Sequence, residues 1–271
     1  MGKITDLKGH CALVTGATGG IGLEFCRTLA SMGCSLALTD IDAARLAEAG
    51  KILSRDFPGV EIVCIPTDLT ARDAIDIIYT SCGDRGIDPD ILINNAGIFS
   101  FAGAAEIPER KIDCFIDLHM RALTMLCRRF ATQRMGHGGG KILNMSSMSC
   151  WMPMPGLSMY AATKAYIRVF SRALHYETRD YGVTVTAACP GGIATNLFGL
   201  PDNLKRLAVA IGVLDTPQRF ARKAIRKMLK GKRQYINGWL NRISIVVVAM
   251  TPTPVRMMVK HRLLDKGIKK P

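Results

Sequence analysis

Short apolar runs alternate along this chain with longer segments in which apolar residues recur every three or four positions. A run that is apolar throughout is typical of a strand covered on both faces, as in a parallel sheet with crossover helices. The pattern therefore predicts an α/β fold with one doubly wound parallel sheet of about seven strands and six major helices. The strand segments are CALVTG, CSLALTD, VEIVCIPTD, DILINNAG, GGKILNMSS and VTVTAACPGG, with a last short strand near RQYING.

The predicted sheet is complete near residue 238, so we assign residues 1–238 to one α/β domain and residues 239–271 to a basic, apolar C-terminal extension. The extension contains ISIVVVAM, eight residues against the ~20 that a helix needs to cross a bilayer. Pro252 and Pro254 follow and interrupt any helix there. The extension is thus not expected to span a membrane.

Charge is concentrated at the end of the chain. The net charge is +14, but residues 1–203 carry 19 Lys and Arg against 20 Asp and Glu, whereas residues 204–271 carry 17 against 2. An apolar segment within a cationic region suggests peripheral contact with an anionic membrane, and a packed lid or a subunit interface is the alternative. The basic region lacks a nucleic-acid module with interleaved aromatic residues, so no nucleic-acid partner is expected.

The nine cysteines are odd in number and never have CxxC spacing, which argues against a disulfide framework and against a metal site. The first residues lack the core of a signal peptide. We therefore expect a cytoplasmic protein, with the inner face of a membrane as a further possible location.

A glycine-rich turn, TGATGGIG, joins the first strand to the first helix. Glycines at this position let the backbone approach a diphosphate, which also meets the positive end of the helix. The sequence thus predicts a dinucleotide site that includes Gly16, Thr18, Gly20, Ile21 and Gly22.

The TGxxxGxG spacing of this turn resembles that of the short-chain dehydrogenase/reductase family, whose fold is Rossmann-like. The resemblance covers about residues 8–238 and includes NNAG at the end of strand four and PGGIAT after strand six. It implies that Asp68 contacts the adenine ring and that the PGGIAT segment holds the nicotinamide. The further cofactor-binding residues implied are Asn95, Ala96, Gly97, Pro190, Gly191, Ile193 and Thr195.

Asp40 ends the second strand, where a carboxylate accepts both ribose hydroxyls of NAD but repels a 2′-phosphate. Family members that prefer NADP usually carry a basic residue at one of two positions, which are Gly19 and Ile41 here. We therefore expect NAD(H), with NADP(H) as the alternative. Asp40 has a second interpretation as the cap of the following helix, a role that Asp42 can also fill.

Tyr160 and Lys164 are four residues apart on a predicted helix, so both project from one face. Hydride transfer to or from an alcohol needs a proton donor and acceptor, and a nearby ammonium lowers the pKa of a phenol. Ser147 ends strand five and can stabilise charge on the substrate oxygen. The resemblance implies the same catalytic roles and adds that Tyr160 and Lys164 bind the cofactor.

His119 occupies the position at which the family usually carries an asparagine that supports a proton relay. An imidazole can move protons near neutral pH, so we expect a retained relay; the alternative is that His119 fills a polar slot in the helix.

The predicted substrate loops are apolar and suit a bulky hydrophobic alcohol or ketone, steroid-like or long-chain. We therefore expect an NAD(H)-dependent oxidoreductase, and a catalytically slow dinucleotide-binding sensor is the alternative. The resemblance also implies a homodimer or homotetramer. The predicted substrate residues are Trp151, Met152, Met154, Leu197 and Phe198.

Overall fold

Seven strands form the centre of the molecule in the computed structural model, which describes residues 6–193 and 214–264. Every neighbouring pair is parallel, so the doubly wound sheet predicted from the sequence is confirmed. The strands are β1 (Cys11–Thr15), β2 (Ser35–Thr39), β3 (Ile62–Cys64), β4 (Ile91–Asn94), β5 (Gly140–Met145), β6 (Val183–Ala188) and β7 (Gln234–Tyr235), in the spatial order β3-β2-β1-β4-β5-β6-β7.

Helices cover both faces of the sheet. They are α1 (Gly20–Ala30), α2 (Ala43–Asp56), α3 (Ala74–Gly83), α4 (Glu109–Ile116), α5 (Leu123–Arg134), α6 (Ser158–Thr178), α7 (Pro217–Leu229), α8 (Trp239–Ala249) and α9 (Thr253–Leu263). Side chains that alternate along β1 fill two separate cores, because successive residues of a strand point to opposite faces. Val14 packs with α1, α2 and α7, whereas Leu13 packs with α3, α5 and α6.

Strands β2 and β3 are added on one side of β1, and β4 to β7 on the other, so a topological switch point lies between the carboxyl ends of β1 and β4. Open α/β sheets bind ligands in the crevice at such a point. The glycine-rich turn after β1 and the NNAG segment after β4 both lie at this edge.

One π-helical segment, Asp117–Ala122, connects α4 to α5 and makes residues 109–134 a single long helix. The sequence predicts this long helix but not the π-helical segment. Such segments are rare and frequently mark functional positions. His119 lies within it.

The C-terminal extension consists of α8 and α9. The helices are interrupted at Pro252, the N-cap of α9, and the two axes are bent by 100°. Within the described ranges, no single helix is long and apolar enough to cross a bilayer; only this bent pair, taken together, meets the criteria of length and composition. α8 packs against the 3-10 turn Met148–Trp151, which follows β5.

Candidate active site

The glycine-rich turn adopts a backbone that only glycine fits well. Gly16 has a φ of +63°, and a Cβ atom there would lie 2.8 Å from Ala96 Cα. A Cβ on Gly22 would overlap the Gly16 carbonyl oxygen. Gly19 is the N-cap of α1 and makes no side-chain cap hydrogen bond, so the N–H groups of the first turn face the cavity without a capping side chain. The turn can therefore hold a diphosphate against the helix N-terminus.

The NNAG segment holds this turn in place. The Asn95 Nδ2 atom donates to the carbonyl oxygens of Thr15 at 3.2 Å and Gly16 at 2.9 Å. In return, Thr15 Oγ1 accepts the backbone N–H groups of Asn95 and Ala96, each at 3.0 Å. These reciprocal hydrogen bonds fix the ends of β1 and β4 against each other, so Asn95 acts on the cofactor site chiefly by shaping it.

Asp40 faces the glycine-rich turn. Its carboxylate accepts from the Thr18 N–H at 3.1 Å and from the Thr18 hydroxyl at 2.7 Å. Asp42 is the cap of α2 and accepts the Arg45 N–H at 3.0 Å. Of the two roles considered for Asp40, the cap belongs to Asp42, and the contact of Asp40 with the adenosine ribose stays a prediction.

Three predicted catalytic side chains, Ser147, Tyr160 and Lys164, line one cavity of about 490 Å³. The Lys164 Nζ atom lies 5.7 Å from the centre of the Tyr160 ring and donates to the Met145 carbonyl oxygen at 2.9 Å. The neighbouring Ser146 is buried and donates its hydroxyl to the Lys164 carbonyl oxygen at 2.7 Å. Ser146 thus anchors α6 to β5, which leaves Ser147 as the serine near the tyrosine.

Burial dominates the electrostatics of the pair. It raises the pKa of Tyr160, although a hydrogen bond with Ser147 partly opposes the change. Burial also lowers the pKa of Lys164 from 10.5 to about 8. Because the loss of water around the phenol is the largest cause, the net shift of the Tyr160 pKa is upward, and a lowering by Lys164 stays a prediction.

His119 is 1% exposed, and both of its ring nitrogens are engaged. Nε2 accepts the Ile98 N–H at 3.0 Å, so Nδ1 carries the proton and donates to Thr163 Oγ1 at 2.9 Å. Burial and the Lys164 charge lower the pKa of His119 to about 2, which keeps the ring neutral at physiological pH. This geometry favours the alternative of a polar slot: the imidazole ties the loop after β4 to α6 and has no lone pair left for a relay.

Gly97 lies between the histidine and the lysine. A Cβ atom there would be 2.9 Å from His119 Nε2 and 3.4 Å from Lys164 Nζ. The last glycine of NNAG is thus required for these two side chains to approach each other behind the cavity wall.

The remaining predicted residues have different outcomes. Gly20, Ile21, Gly22, Asn95, Gly97, Pro190, Gly191 and Ile193 line the cavity together with the catalytic side chains. The exposed Asp68 carboxylate is engaged locally, because it accepts the N–H of Thr70 at 2.9 Å and its hydroxyl at 2.7 Å. Thr195, Leu197 and Phe198 lie outside the described residues, so their roles stay predictions.

The apolar loop after β5 does not form the wall of this cavity. Trp151, Met152 and Met154 are absent from its lining, and the guanidinium of Arg168 lies 4.4 Å from the centre of the Trp151 ring. The role of these three residues in substrate binding therefore stays a prediction.

Several residues at or beside the cavity escaped the sequence analysis. Ile98 lines the cavity, and the Phe99 ring packs edge-on against Tyr160 with 5.0 Å between ring centres. Arg45 lines the other end and donates to the Thr18 carbonyl oxygen at 3.3 Å, and Pro217 completes the wall. The sequence pointed to the site only at Ile98 and Phe99, because these two residues directly follow NNAG.

A doubly wound parallel sheet, a glycine-rich turn at its switch point and a Ser–Tyr–Lys cluster in the same cavity define a dinucleotide-binding protein of the dehydrogenase type. The family described as short chain dehydrogenase matches residues 10–201. The chain belongs to this family.

The individual relatives described below share a quarter to a third of their aligned residues with this chain. The chain is 33% identical over 186 residues to the probable oxidoreductase EphD of Mycobacterium tuberculosis; the match covers 68% of this chain but only 31% of that protein. It is 30% identical to the very-long-chain 3-oxoacyl-CoA reductase of Anas platyrhynchos, over 86% of this chain and 72% of the relative. A short-chain dehydrogenase from Sphingobium yanoikuyae, solved in complex with NADPH, superposes with a TM-score of 0.75 at 25% identity, over 90% of this chain and 97% of that one.

Proposed function

We propose that this protein is an oxidoreductase that transfers a hydride between NAD(H) and a secondary alcohol or ketone of a bulky hydrophobic molecule. The observation that carries the proposal is the presence of Ser147, Tyr160 and Lys164 in the cavity that begins at the glycine-rich turn. The cavity residues fit a dinucleotide: glycines crowd the backbone at one end, and proton-transfer groups lie at the other. The cofactor supplies the hydride chemistry when it is bound.

The protein's own residues move the proton. Because burial raises the pKa of Tyr160, its phenol is protonated at neutral pH and can donate to a carbonyl oxygen. The Ser147 hydroxyl stabilises the charge that develops on the same oxygen. Lys164, with its pKa near 8, is mostly protonated at pH 7 and holds the ribose side of the cavity. The protonated phenol is the form that ketone reduction requires.

NAD(H) is the proposed cofactor because of Asp40, whose carboxylate would repel a 2′-phosphate beside Thr18. Arg45 favours NADP(H) instead, because a guanidinium at this end of the cavity can bind a 2′-phosphate. The solved neighbour from Sphingobium yanoikuyae holds NADPH. Two residues of opposite charge thus determine the choice, and Asp40 lies closer to the strand end at which the ribose is recognised.

A hydrophobic substrate is proposed from Ile98, which lines the cavity, and from Phe99, which packs against Tyr160. The relative from Anas platyrhynchos is by name a very-long-chain 3-oxoacyl-CoA reductase, which agrees with a long apolar substrate. We propose a long-chain or steroid-like ketone, and a homodimer or homotetramer as the working assembly.

The test is a cofactor-absorbance screen of hydrophobic ketones and alcohols with NADH, NADPH, NAD and NADP in parallel. We expect the highest kcat/KM for a bulky ketone with NADH. A higher kcat/KM with NADPH contradicts the role given to Asp40. Tight NADH binding without turnover of any compound contradicts the proposed oxidoreductase activity.

We also propose that α8 and α9 contact an anionic membrane, because α8 turns its apolar side outward. Its inner face is formed by Asn241, Ser244, Ile245 and Val248, of which Ile245 is buried. Six large apolar side chains are exposed on the opposite side: Trp239, Leu240, Ile243, Val246, Val247 and Met250. A helix with this arrangement in a protein surrounded by water indicates an apolar partner.

The distribution of charge supports an anionic membrane as the partner. Residues 204–271 carry 17 Lys and Arg against 2 Asp and Glu, and the exposed cations Arg242 and Arg262 belong to these two helices. A second copy docked through this surface would bring two cationic regions together, whereas the anionic cytoplasmic leaflet of a membrane complements them. The extension also contacts the active site, because Asn241 lies against Gly191 in the cavity wall. A membrane-dissolved substrate could thus enter next to the cofactor.

Vesicle sedimentation tests this proposal. We expect binding to vesicles that contain phosphatidylserine and little binding to phosphatidylcholine alone. Val247→Asp on α8 should reduce binding at least fivefold, whereas Val169→Asp, which changes an equally exposed valine of α6 (both 61% exposed), should not. Equal binding of both variants contradicts the membrane contact, and loss of dimer in Val247→Asp identifies a second copy as the partner.

A further inference from the structure

A cleft lined by cations lies between α6 and the turn that joins α7 to β7, away from the dinucleotide cavity. It encloses about 520 Å³. Among the described residues that line it, none carries a carboxylate. Its five arginine and lysine side chains are Arg168, Arg172, Arg179, Lys232 and Arg233.

Neutral groups hold the cations in position. The Arg168 Nε atom donates to Gln234 Oε1 at 3.2 Å, and Arg233 Nη1 donates to the Tyr176 hydroxyl at 2.8 Å. The one nearby ion pair joins the exposed Arg179 to Asp180 with 3.5 Å between Nε and Oδ1, which is a weak interaction in water. Most of the positive charge of the cleft is therefore not compensated by the described part of the chain.

Two buried polar atoms at the cleft lack a hydrogen-bond partner among the described residues, namely Arg172 Nε and Thr184 Oγ1. Thr184 lies behind Gly231 in the cleft wall, where a Cβ atom would be 3.8 Å from this hydroxyl. Buried polar groups are normally paired, so each exception needs an explanation. Arg172 lines the cleft, so an acceptor-rich anion there would pair with its guanidinium together with the surrounding charges, whereas Thr184 is not among the lining residues.

We propose that this cleft binds the phosphate group of a small molecule, with Arg172 and Arg233 as its principal ligands. An arginine fork matches the geometry of phosphate oxygens and donates two parallel hydrogen bonds. The volume exceeds that of one phosphate ion and lies in the range of ordinary ligand pockets, so the cleft has room for a larger molecule that carries the phosphate.

The cleft and the catalytic cluster share α6. A rise of ~1.5 Å per residue places Arg172 about 18 Å from Tyr160 along the helix axis. Arg168 lies between them and stacks on Trp151, which belongs to the turn that follows Ser147. A phosphate held at Arg172 could therefore belong to a substrate with a long linker, such as a CoA thioester, to a phospholipid headgroup, or to a free phosphate compound.

Titration calorimetry on the full chain, saturated with NADH to fill the cofactor site, separates these sources. The probes are inorganic phosphate, CoA and the short-chain lipid dihexanoyl phosphatidic acid. The double variant Arg172→Gln/Arg233→Gln should weaken the best probe at least tenfold. Arg222→Gln, which removes an exposed cation from α7, should change its affinity less than twofold. The tightest probe names the source of the phosphate.

Three outcomes overturn the proposal: equal affinity in the double variant and the wild type, no probe binding below ~10 mM, or a double variant that differs only in its oligomeric state. NADH binding checks that the variant folds. If the double variant does not fold, Arg172→Lys retains the charge but loses the Nε donor. A weakening of at least threefold then supports the site, and unchanged affinity overturns it.

Discussion

The buried ammonium of Lys164 should destabilise the folded protein. Comparison with Lys164→Met should show this destabilisation as a pH-dependent difference in the free energy of unfolding. The side chain is 5% exposed, and burial lowers its pKa from 10.5 to about 8. A shift of this size corresponds to about 3 kcal/mol at 1.36 kcal/mol per pH unit. Below pH 8, lysine is charged in both the folded and the unfolded chain, so the full cost is present. Between pH 8 and 10.5, only the unfolded chain keeps the proton, so the free energy of unfolding of the wild type rises with pH.

The variant removes this pH dependence and also the hydrogen bond from Nζ to the Met145 carbonyl oxygen. An unpaired buried carbonyl costs ~1–3 kcal/mol, which offsets the gain from removing the buried charge. We therefore expect Lys164→Met to be up to ~2 kcal/mol more stable than the wild type at pH 7.5. Between pH 7.5 and 10.5, the free energy of unfolding of the wild type should rise by about 3 kcal/mol relative to that of the variant. This change does not depend on the cost of the lost hydrogen bond.

Urea unfolding without cofactor at pH 7.5, 8.5, 9.5 and 10.5 measures the difference in free energy. Other titrating groups occur in both proteins and cancel in the difference. Lys51→Met, at an exposed position of α2, is the matched control and should stay parallel to the wild type. A constant difference between Lys164→Met and the wild type across this range would refute the reasoning that burial sets the lysine pKa.

Three further predictions follow from the site. His119→Asn should remove an acid sensitivity: the wild type should lose about 2 kcal/mol relative to the variant between pH 6.5 and 4.5, because only the unfolded histidine takes up a proton, and urea unfolding at both pH values shows whether the difference changes. Asp40→Asn should raise affinity for NADPH relative to NADH at least tenfold in fluorescence titrations, whereas Asp42→Asn, a cap that keeps its acceptor, should leave the ratio unchanged. Gly22→Ala should abolish binding of both cofactors or unfold the chain, since its Cβ meets the Gly16 carbonyl; near-normal NADH binding contradicts the geometry of the turn.

Sequence patterns were sufficient for the sheet because most of its strands contain a continuous apolar run and helices lie between successive strands. The positions of Ser147, Tyr160 and Lys164 also followed from spacing, since four residues on a helix bring side chains to one face. The electrostatics did not follow. The pKa values of Tyr160 and Lys164 depend on how much water the assembled fold removes, and burial is a property of the whole tertiary structure.

His119 illustrates the limit most clearly. Its residue type suggested a proton relay, but the outcome depends on the Ile98 N–H and the Thr163 hydroxyl, which come from two other parts of the chain. The sequence-based prediction for the C-terminal extension was limited in the same way. Its apolar run was visible in the sequence, but only the packing of α8 shows that Ile245 is buried while Val246 and Val247 are exposed.

The most direct test of the central claim is a single-turnover reaction with NADH that carries deuterium at both C4 positions and a bulky hydrophobic ketone, followed by mass spectrometry of the alcohol. We predict that the wild type places one deuterium on the carbinol carbon. Tyr160→Phe should bind NADH within threefold of the wild type yet form the labelled alcohol at least a hundredfold more slowly, because the phenol that protonates the oxygen is gone. Equal rates for the wild type and Tyr160→Phe, or an alcohol without deuterium, would contradict the account.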